Sequence, residues 1–312
     1  IISDRKLDQW GIKLGDVFGR NARIDALTEL VDQVERWLNG SVFPLALDPL
    51  SGDDASFLRM VAGTFMGDEP AGQMFLNFKA YNFSYIPIET LSVIYEQFLH
   101  STGSGKDVGA YYTPLPLVNF MLEELDDRRP LTSEMKVLDP ACGSGAFLVQ
   151  CYRRLIEREI RSTDSTTPPE RLRELLTASV FGVDQDPDAC AVAELSLILT
   201  LLDYVNPPDL YDNDSFKLPA LRNRNVFHGN FFDEPPPWQA AAGPLEFDWV
   251  VGNPPWKEVD KKQIKPHEEA PVRWMEANRR KHPVGRLQLA EAFAWRSTWY
   301  MGPRSLTGLL LP

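Results

Sequence analysis

The chain has 312 residues, 44 % of them apolar and 11 % aromatic, which is enough to bury the core of one large or two ordinary domains and excludes disorder as its main state. Thirty-two Lys and Arg stand against 44 Asp and Glu, a net charge of −12, so the chain as a whole is no non-specific polyanion binder and any contact with nucleic acid must be local. It lacks an uncharged apolar run of about 18 residues, a signal-peptide pattern, and the cysteines for a disulfide frame, having only Cys142, Cys151 and Cys190; a reducing cytoplasm and no membrane contact are expected.

Residues 1 to about 100 read as helices. Ile24, Leu27, Leu30, Val31, Val34 and Leu38 recur at helical spacing, as do Ile88, Leu91, Val93, Ile94 and Phe98 in residues 87–98. A Gly/Ser-rich stretch, 101–109, leads into Tyr111-Tyr112-Thr113-Pro114, where Thr113 suits an N-cap and Pro114 a first helical residue, with a helix to about Leu125. From there short apolar runs alternate with helical patterns: strands at 135–138, 180–183, 226–232, 247–251 and 306–311, and helices at 147–159, near 172–176, at 189–202 and at 287–299. That alternation predicts a doubly wound α/β sheet. Two polar stretches, 162–170 and 205–225, read as loops. The chain begins at Ile1 rather than Met and stops just after a strand-like run, so both ends read as cuts in a longer protein, with domains expected at 1–104 and 105–312.

The strongest local signal is Asp139-Pro140-Ala141-Cys142-Gly143-Ser144-Gly145, placed directly after a strand and before a helix. Glycines there let the backbone approach a ligand closely at the carboxyl end of the first strand, where open α/β sheets bind ligands. The third glycine of a nicotinamide-type fingerprint is replaced by Leu148, which disfavours a dinucleotide. The second strand ends Gly182-Val183-Asp184-Gln185-Asp186-Pro187: Asp184 suits the two hydroxyls of a ribose, and Asp186 suits the cap of the next helix. Asn253-Pro254-Pro255-Trp256 closes the fourth strand.

The ordered set Tyr112-Thr113-Pro114, Asp139 to Gly145, Gly182 to Asp186, Gly229-Asn230-Phe231-Phe232 and Asn253 to Trp256 resembles the DNA N6-adenine methyltransferases, with a gamma-like motif order. It is most similar to the methylase parts of type IIG and type I restriction-modification enzymes and of related phage-defence systems. The resemblance covers residue 88 onward, and the helical region before it is similar in type to the helical domain that precedes the methylase in those enzymes. The implied fold is a Rossmann-like class I S-adenosylmethionine-dependent methyltransferase sheet preceded by a helical N-terminal domain. The implied activity is site-specific methylation of adenine N6 in double-stranded DNA.

Residue by residue, the resemblance implies that Tyr112, Thr113, Pro114 and the loop with Asp139, Ala141, Gly143 and Gly145 hold the methionine part of S-adenosylmethionine. Asp184 takes its ribose, Gln185 and Phe231 flank its adenine ring, and Asn230 accepts from its exocyclic amine where many relatives have Asp. An adenine amine is a poor nucleophile because its lone pair is delocalised into the ring. Two acceptors, the Asn253 side-chain oxygen and the Pro254 carbonyl, favour the pyramidal nitrogen that can attack a methyl group. Pro255 stiffens the turn, and Trp256 stacks on the flipped base, replacing about 1–3 kcal/mol of lost stacking.

Residues 257–286 carry nine Lys and Arg against five Asp and Glu, so a DNA-facing loop is expected there, with Lys257, Lys261, Lys262 and Lys265 on the phosphates. Only 107 residues separate Gly145 from Asn253, too few for a separate recognition domain of about 100 residues beside the strands and helices they must supply. Target recognition is therefore expected beyond this chain or on a partner subunit. Gly103-Ser104-Gly105-Lys106 lacks the first glycine and the Ser/Thr of a phosphate loop, the four histidines show no metal spacing, and no metal is expected. Two alternatives carry the same motifs: methylation of RNA or of protein glutamine, and a non-catalytic S-adenosylmethionine-binding subunit of a defence complex.

Overall fold

The apolar runs that follow residue 135 form one parallel sheet. Its strands are β1 (Val137–Asp139), β2 (Val180–Asp184), β3 (Val226–His228), β4 (Phe247–Gly252) and β5 (Met301–Leu309), in the order β3-β2-β1-β4-β5. β1 is central, with Val137 in register with Val180 on one side and Trp249 on the other. A computed structural model describes residues 4–13, 16–17, 23–38, 113–163, 167–205 and 216–312, with single positions at 56, 60, 90 and 94. The chain divides into two units, residues 1–87 with 206–220 and residues 88–205 with 221–312. Tyr111, Tyr112 and the 103–106 motif lie outside the described residues, and of the expected helix 87–98 only Thr90 and Ile94 are described, both helical.

In the first unit, α1 (Asp4–Trp10) precedes α2 (Ile24–Leu38). The α2 side chains Ala26, Leu30 and Val34 are buried along one stripe, as the 3.6-residue period requires.

In the second unit, α3 (Leu115–Arg128), α4 (Ala146–Thr163), α5 (Pro169–Ser179) and α6 (Pro187–Asp203) precede the short α7 (Gln239–Ala242), α8 (Glu269–Asn278) and α9 (Leu289–Ser297). Helix α4 packs on β1, β2 and α6, and α3 packs on α4 and β5. The two faces of β2 show how the sheet is covered. A Cβ on Gly182 would come within 2.6 Å of Leu148 in α4, whereas its neighbours Phe181 and Val183 belong to an aromatic cluster with Phe231, Phe232, Trp238 and Phe293. Alternate residues of a strand point to opposite faces, so helices cover one face and this cluster the other.

Four expected elements end elsewhere than the pattern suggested. Helix α3 starts at Leu115, and the N–H groups of Leu117 and Val118 bond the Pro114 carbonyl, with no side-chain cap on the helix. The strand expected at 226–232 stops at His228, because Asn230 Oδ1 accepts the Phe232 N–H (3.0 Å) and turns the chain out of the sheet. β5 starts earlier than expected, at Met301, and tolerates Pro303 because it is an edge strand of the sheet. Residues 257–286 are not a loop: a 3-10 turn (Pro266–Glu268), α8 and a second turn (Gly285–Leu287) lie there over buried Val272, Trp274 and Met275.

Candidate functional site

The strand order reverses between β1 and β4, and in such sheets ligands bind where the carboxyl ends of those two strands part. Asp139 ends β1, and Gly252 ends β4 with φ 152°. The two tips touch: a Cβ at Gly252 would lie 2.5 Å from Asp139 Oδ1, so only glycine fits.

The turn after β1 is built from main-chain bonds. Asp139 Oδ1 accepts the Ala141 N–H (3.1 Å), the Cys142 N–H reaches the Val183 carbonyl (2.9 Å), and the Gly143 N–H reaches Asp184 Oδ2 (2.8 Å). Gly143 and Gly145 take φ of 51° and 90°; a Cβ at Gly145 would press on Ala193 of α6 at 3.1 Å, whereas one at Gly143 would meet nothing within 4 Å. The glycine at 145 is thus required by helix packing as well as by φ, and the one at 143 leaves open space above the loop. Asp184 Oδ1 accepts the Asp186 N–H (2.9 Å), and Asp186 caps α6 through the Asp188 N–H (2.9 Å), the role its sequence position suggested.

Burial pushes the Asp139 carboxyl up to about 8, with the charge of Asp184 adding to the rise, and burial also raises Asp184. Backbone N–H bonds offset this in part, and no basic group contributes. Asp139 is 1 % exposed, so it braces the glycine turn from below. A buried and a half-buried carboxyl, both raised and with no cation beside them among the described residues, make a site suited to a positively charged ligand. Cys142, Cys151 and Cys190 are buried free thiols, all shifted upward by burial, which does not favour a nucleophile.

The turn after β4 is built from side chains. Asn253 Nδ2 donates to Thr113 Oγ1 (3.0 Å), which explains why that hydroxyl does not cap α3. That bond occupies the NH₂ side of the Asn253 amide, whose oxygen is buried beneath the turn. Pro254 is buried. Trp256 is 40 % exposed, and its indole N–H donates to the Leu310 carbonyl (3.1 Å) at the end of β5.

At the carboxyl ends of β2 and β3 lies a pocket of about 280 Å³ lined by Gln185, His228, Asn230, Asp233, Pro266, His267 and Arg273 among others. The structure thus brings Gln185 and Asn230 together, as the sequence suggested. It does not bring Phe231 there: that ring is 1 % exposed and stacks on Phe293 at 5.4 Å inside the aromatic cluster. Phe231 points into the core together with Phe232, the two rings meeting edge to face at 5.6 Å. Asn230 also has a second duty, donating from Nδ2 to the His267 carbonyl (3.0 Å). Lys257 is likewise corrected. Its ammonium lies 2.6 Å from the carboxylate of Glu268, a residue 2 % exposed, so it faces inward; Lys261 and Lys262 are exposed and Lys265 is half-buried.

Sequence reading missed Asp233, Pro266, His267, Glu268 and Arg273. Asp233 and Glu268 each carried a local signal, standing three residues after Asn230 and Lys265, whose N–H groups they accept (3.1 and 2.9 Å); the Lys257 partner of Glu268, eleven residues away, carried none. Among the described residues no group of three or more His, Cys, Asp or Glu is placed to hold a metal ion, and no helix is long and apolar enough to cross a membrane.

Comparison with known proteins agrees with this geometry. The family model described as N-6 DNA Methylase matches residues 87–292. The chain is 31 % identical over 177 residues to the type I restriction enzyme MjaIX methylase subunit of Methanocaldococcus jannaschii, covering 55 % of this chain and 24 % of that one. It is 28 % identical over 156 residues to the adenine-specific methyltransferase PglX of Streptomyces coelicolor, covering 42 % of this chain and 13 % of that one. The chain spans about a quarter or less of the length of these two curated relatives. Among solved structures, one titled as a DrdV–DNA complex superposes with a TM-score of 0.54 at 15 % identity, covering 97 % of this chain and 32 % of that one, which supports the fold.

Proposed function

This chain belongs to the N-6 DNA methylase family, and from that premise we propose that it carries the methyl-transfer site of an adenine-N6 DNA methyltransferase of restriction-modification type. The observation that carries this reading is the Asn253–Thr113 bond, which tethers the Asn253 amide at the switch point beside the glycine turn.

S-adenosylmethionine fits the first tip, and when bound it supplies an electrophilic methyl group. Its positive charges would favour ionisation of Asp184 and of the Asp139 carboxyl beneath the turn, both raised by burial, and the open space over Gly143 leaves room for it. Asp184 has a lone pair left on each oxygen for ribose hydroxyls, and Gln185 and Asn230 line the pocket beside it. Thr113 serves the other tip, through its bond to Asn253, and Tyr112 and Pro114 are assigned to the methionine part by resemblance.

Asn253 Oδ1 and the Pro254 carbonyl accept the two hydrogens of the target amine. This localises the nitrogen lone pair in the transition state, and no strong general base is required. Pro254 and Pro255 carry no N–H that would compete as donors. The exposed Trp256 ring, held at its N–H edge by Leu310, is placed to stack on a flipped base. Lys261 and Lys262 meet the DNA backbone, and recognition of a particular sequence is supplied by another domain or subunit.

The test is methyl transfer from isotopically labelled S-adenosylmethionine by the full-length protein, offered double-stranded DNA, ribosomal RNA and a release factor. Label on adenine N6 of the DNA alone is expected. Label on RNA or protein, or no binding of S-adenosylmethionine, overturns the reading.

A further inference from the structure

Glu268 is a carboxylate in a locally basic segment, it is 2 % exposed, and the reaction itself does not use it. Its two oxygens bind different segments. Oε1 lies 2.6 Å from Lys257 Nζ, directly after Trp256, and Oε2 accepts the N–H of Lys265 (2.9 Å) at the start of the 3-10 turn. Burial alone would raise this carboxyl; Lys257, the Lys265 N–H and His267 more than reverse that, so it lies below its usual value and stays ionised. The neighbouring His267 carbonyl holds Asn230 Nδ2 (3.0 Å), and Pro266 and His267 form one wall of the 280 Å³ pocket. Lys257 is also fixed at its carbonyl, which accepts the Leu289 N–H (2.9 Å) at the start of α9. A continuous path therefore runs from the turn after β4, through Lys257 and Glu268, to His267 and the turn after β3.

We propose that Glu268 is a positioning residue: by holding Lys257 and the Lys265 N–H at once, it keeps the base-binding turn at residues 253–256 in register with the cofactor pocket at Asn230, Pro266 and His267. This rests on the reading of those two places as base and cofactor sites. A buried ion pair serves stability poorly compared with apolar residues of the same volume, whereas a charge pair with one satisfied geometry is well suited to fixing register.

The full-length protein is compared with Lys257→Met, Lys257→Arg and the double variant Lys257→Met/Glu268→Gln, which leaves no buried unpaired charge and so protects the fold. S-adenosylmethionine affinity is measured by calorimetry, and hydrogen exchange is followed over residues 266–273. Although Lys257 does not line the pocket, Lys257→Met should weaken S-adenosylmethionine binding at least about fivefold and speed exchange over 266–273. Lys257→Arg, which can still pair with Glu268, should recover affinity to within about twofold, and the double variant should bind no more weakly than Lys257→Met, because both act through one link. A lowered melting temperature with unchanged affinity and exchange overturns the proposal, as does a Lys257→Arg variant as impaired as Lys257→Met. If the unaltered protein binds no S-adenosylmethionine, the functional reading fails, and exchange over 266–273 still decides the link: unchanged exchange in Lys257→Met overturns it.

Discussion

At the end of β1 the N–H groups of Ala141, Cys142, Gly143 and Gly145 all bond within the turn or to the adjacent β2 tip. At the end of β4 the turn is held by side chains that reach far along the chain: Asn253 to Thr113, Trp256 to Leu310 and Lys257 to Glu268. The first tip is a cradle whose donors are all main-chain N–H groups, two of them bonded to the neighbouring β2 tip, and it suits a ligand whose position must not vary. The second depends on three other segments, so its geometry can be tuned or lost from a distance. The division matches the two tasks proposed for them, holding a cofactor and activating a base.

The largest expected effect lies at the second tip. Asn253→Ala in the full-length protein should lower methyl transfer by about 10²–10³-fold, the usual cost of one lost acceptor or donor in a transition state; a measured rate near that of the unaltered protein would contradict its role. Next comes the contact between the tips. Gly252→Ala forces a Cβ to within 2.5 Å of Asp139 Oδ1 at φ 152°, and overpacking of this kind costs about 1–3 kcal/mol in a denaturant titration.

The first tip should show itself through protons. Asp139 is raised to about 8 in the fold from 3.8, so between those values the folded state holds a proton that the unfolded state has lost. Stability of the ligand-free protein should therefore fall as pH rises from about 4 to 8 and level off above, and Asp139→Asn should flatten that slope. A cationic ligand over the turn reverses the shift, so S-adenosylmethionine should release up to about one proton at pH 7, seen as a dependence of binding enthalpy on buffer. The smallest effect is on the surface. Lys261→Gln with Lys262→Gln should reduce the salt slope of DNA binding by about one per lost phosphate contact, and neither should alter cofactor affinity.

The same contrast decides what was legible in the sequence. The alternation of strands and helices and the glycine turn follow from apolar runs, φ requirements and caps, all of which are local, and so does the Asp186 cap; Gln185 and Asn230 were placed by resemblance, and the strand order carried no local signal. Three readings missed for the opposite reason. Thr113 looked like a helix cap because its partner Asn253 stands 140 residues away. Phe231 was placed beside a ligand by motif alone, yet its ring lies in the core among Phe232, Trp238 and Phe293. Lys257 counted as a DNA contact because net charge over 257–286 cannot reveal that Glu268 is buried beside it. A charge count describes a surface only where the elements carrying it are known to be exposed.

The central claim is that one tip holds the cofactor and the other acts on the base. Asp184→Ala and Asn253→Ala, measured together for S-adenosylmethionine affinity and for methyl transfer at saturating S-adenosylmethionine, separate the two most directly. The account predicts that Asp184→Ala weakens affinity by about 1–3 kcal/mol with turnover largely kept, and that Asn253→Ala keeps affinity and loses turnover. The reverse pattern, or equal loss of both quantities in both variants, would contradict it.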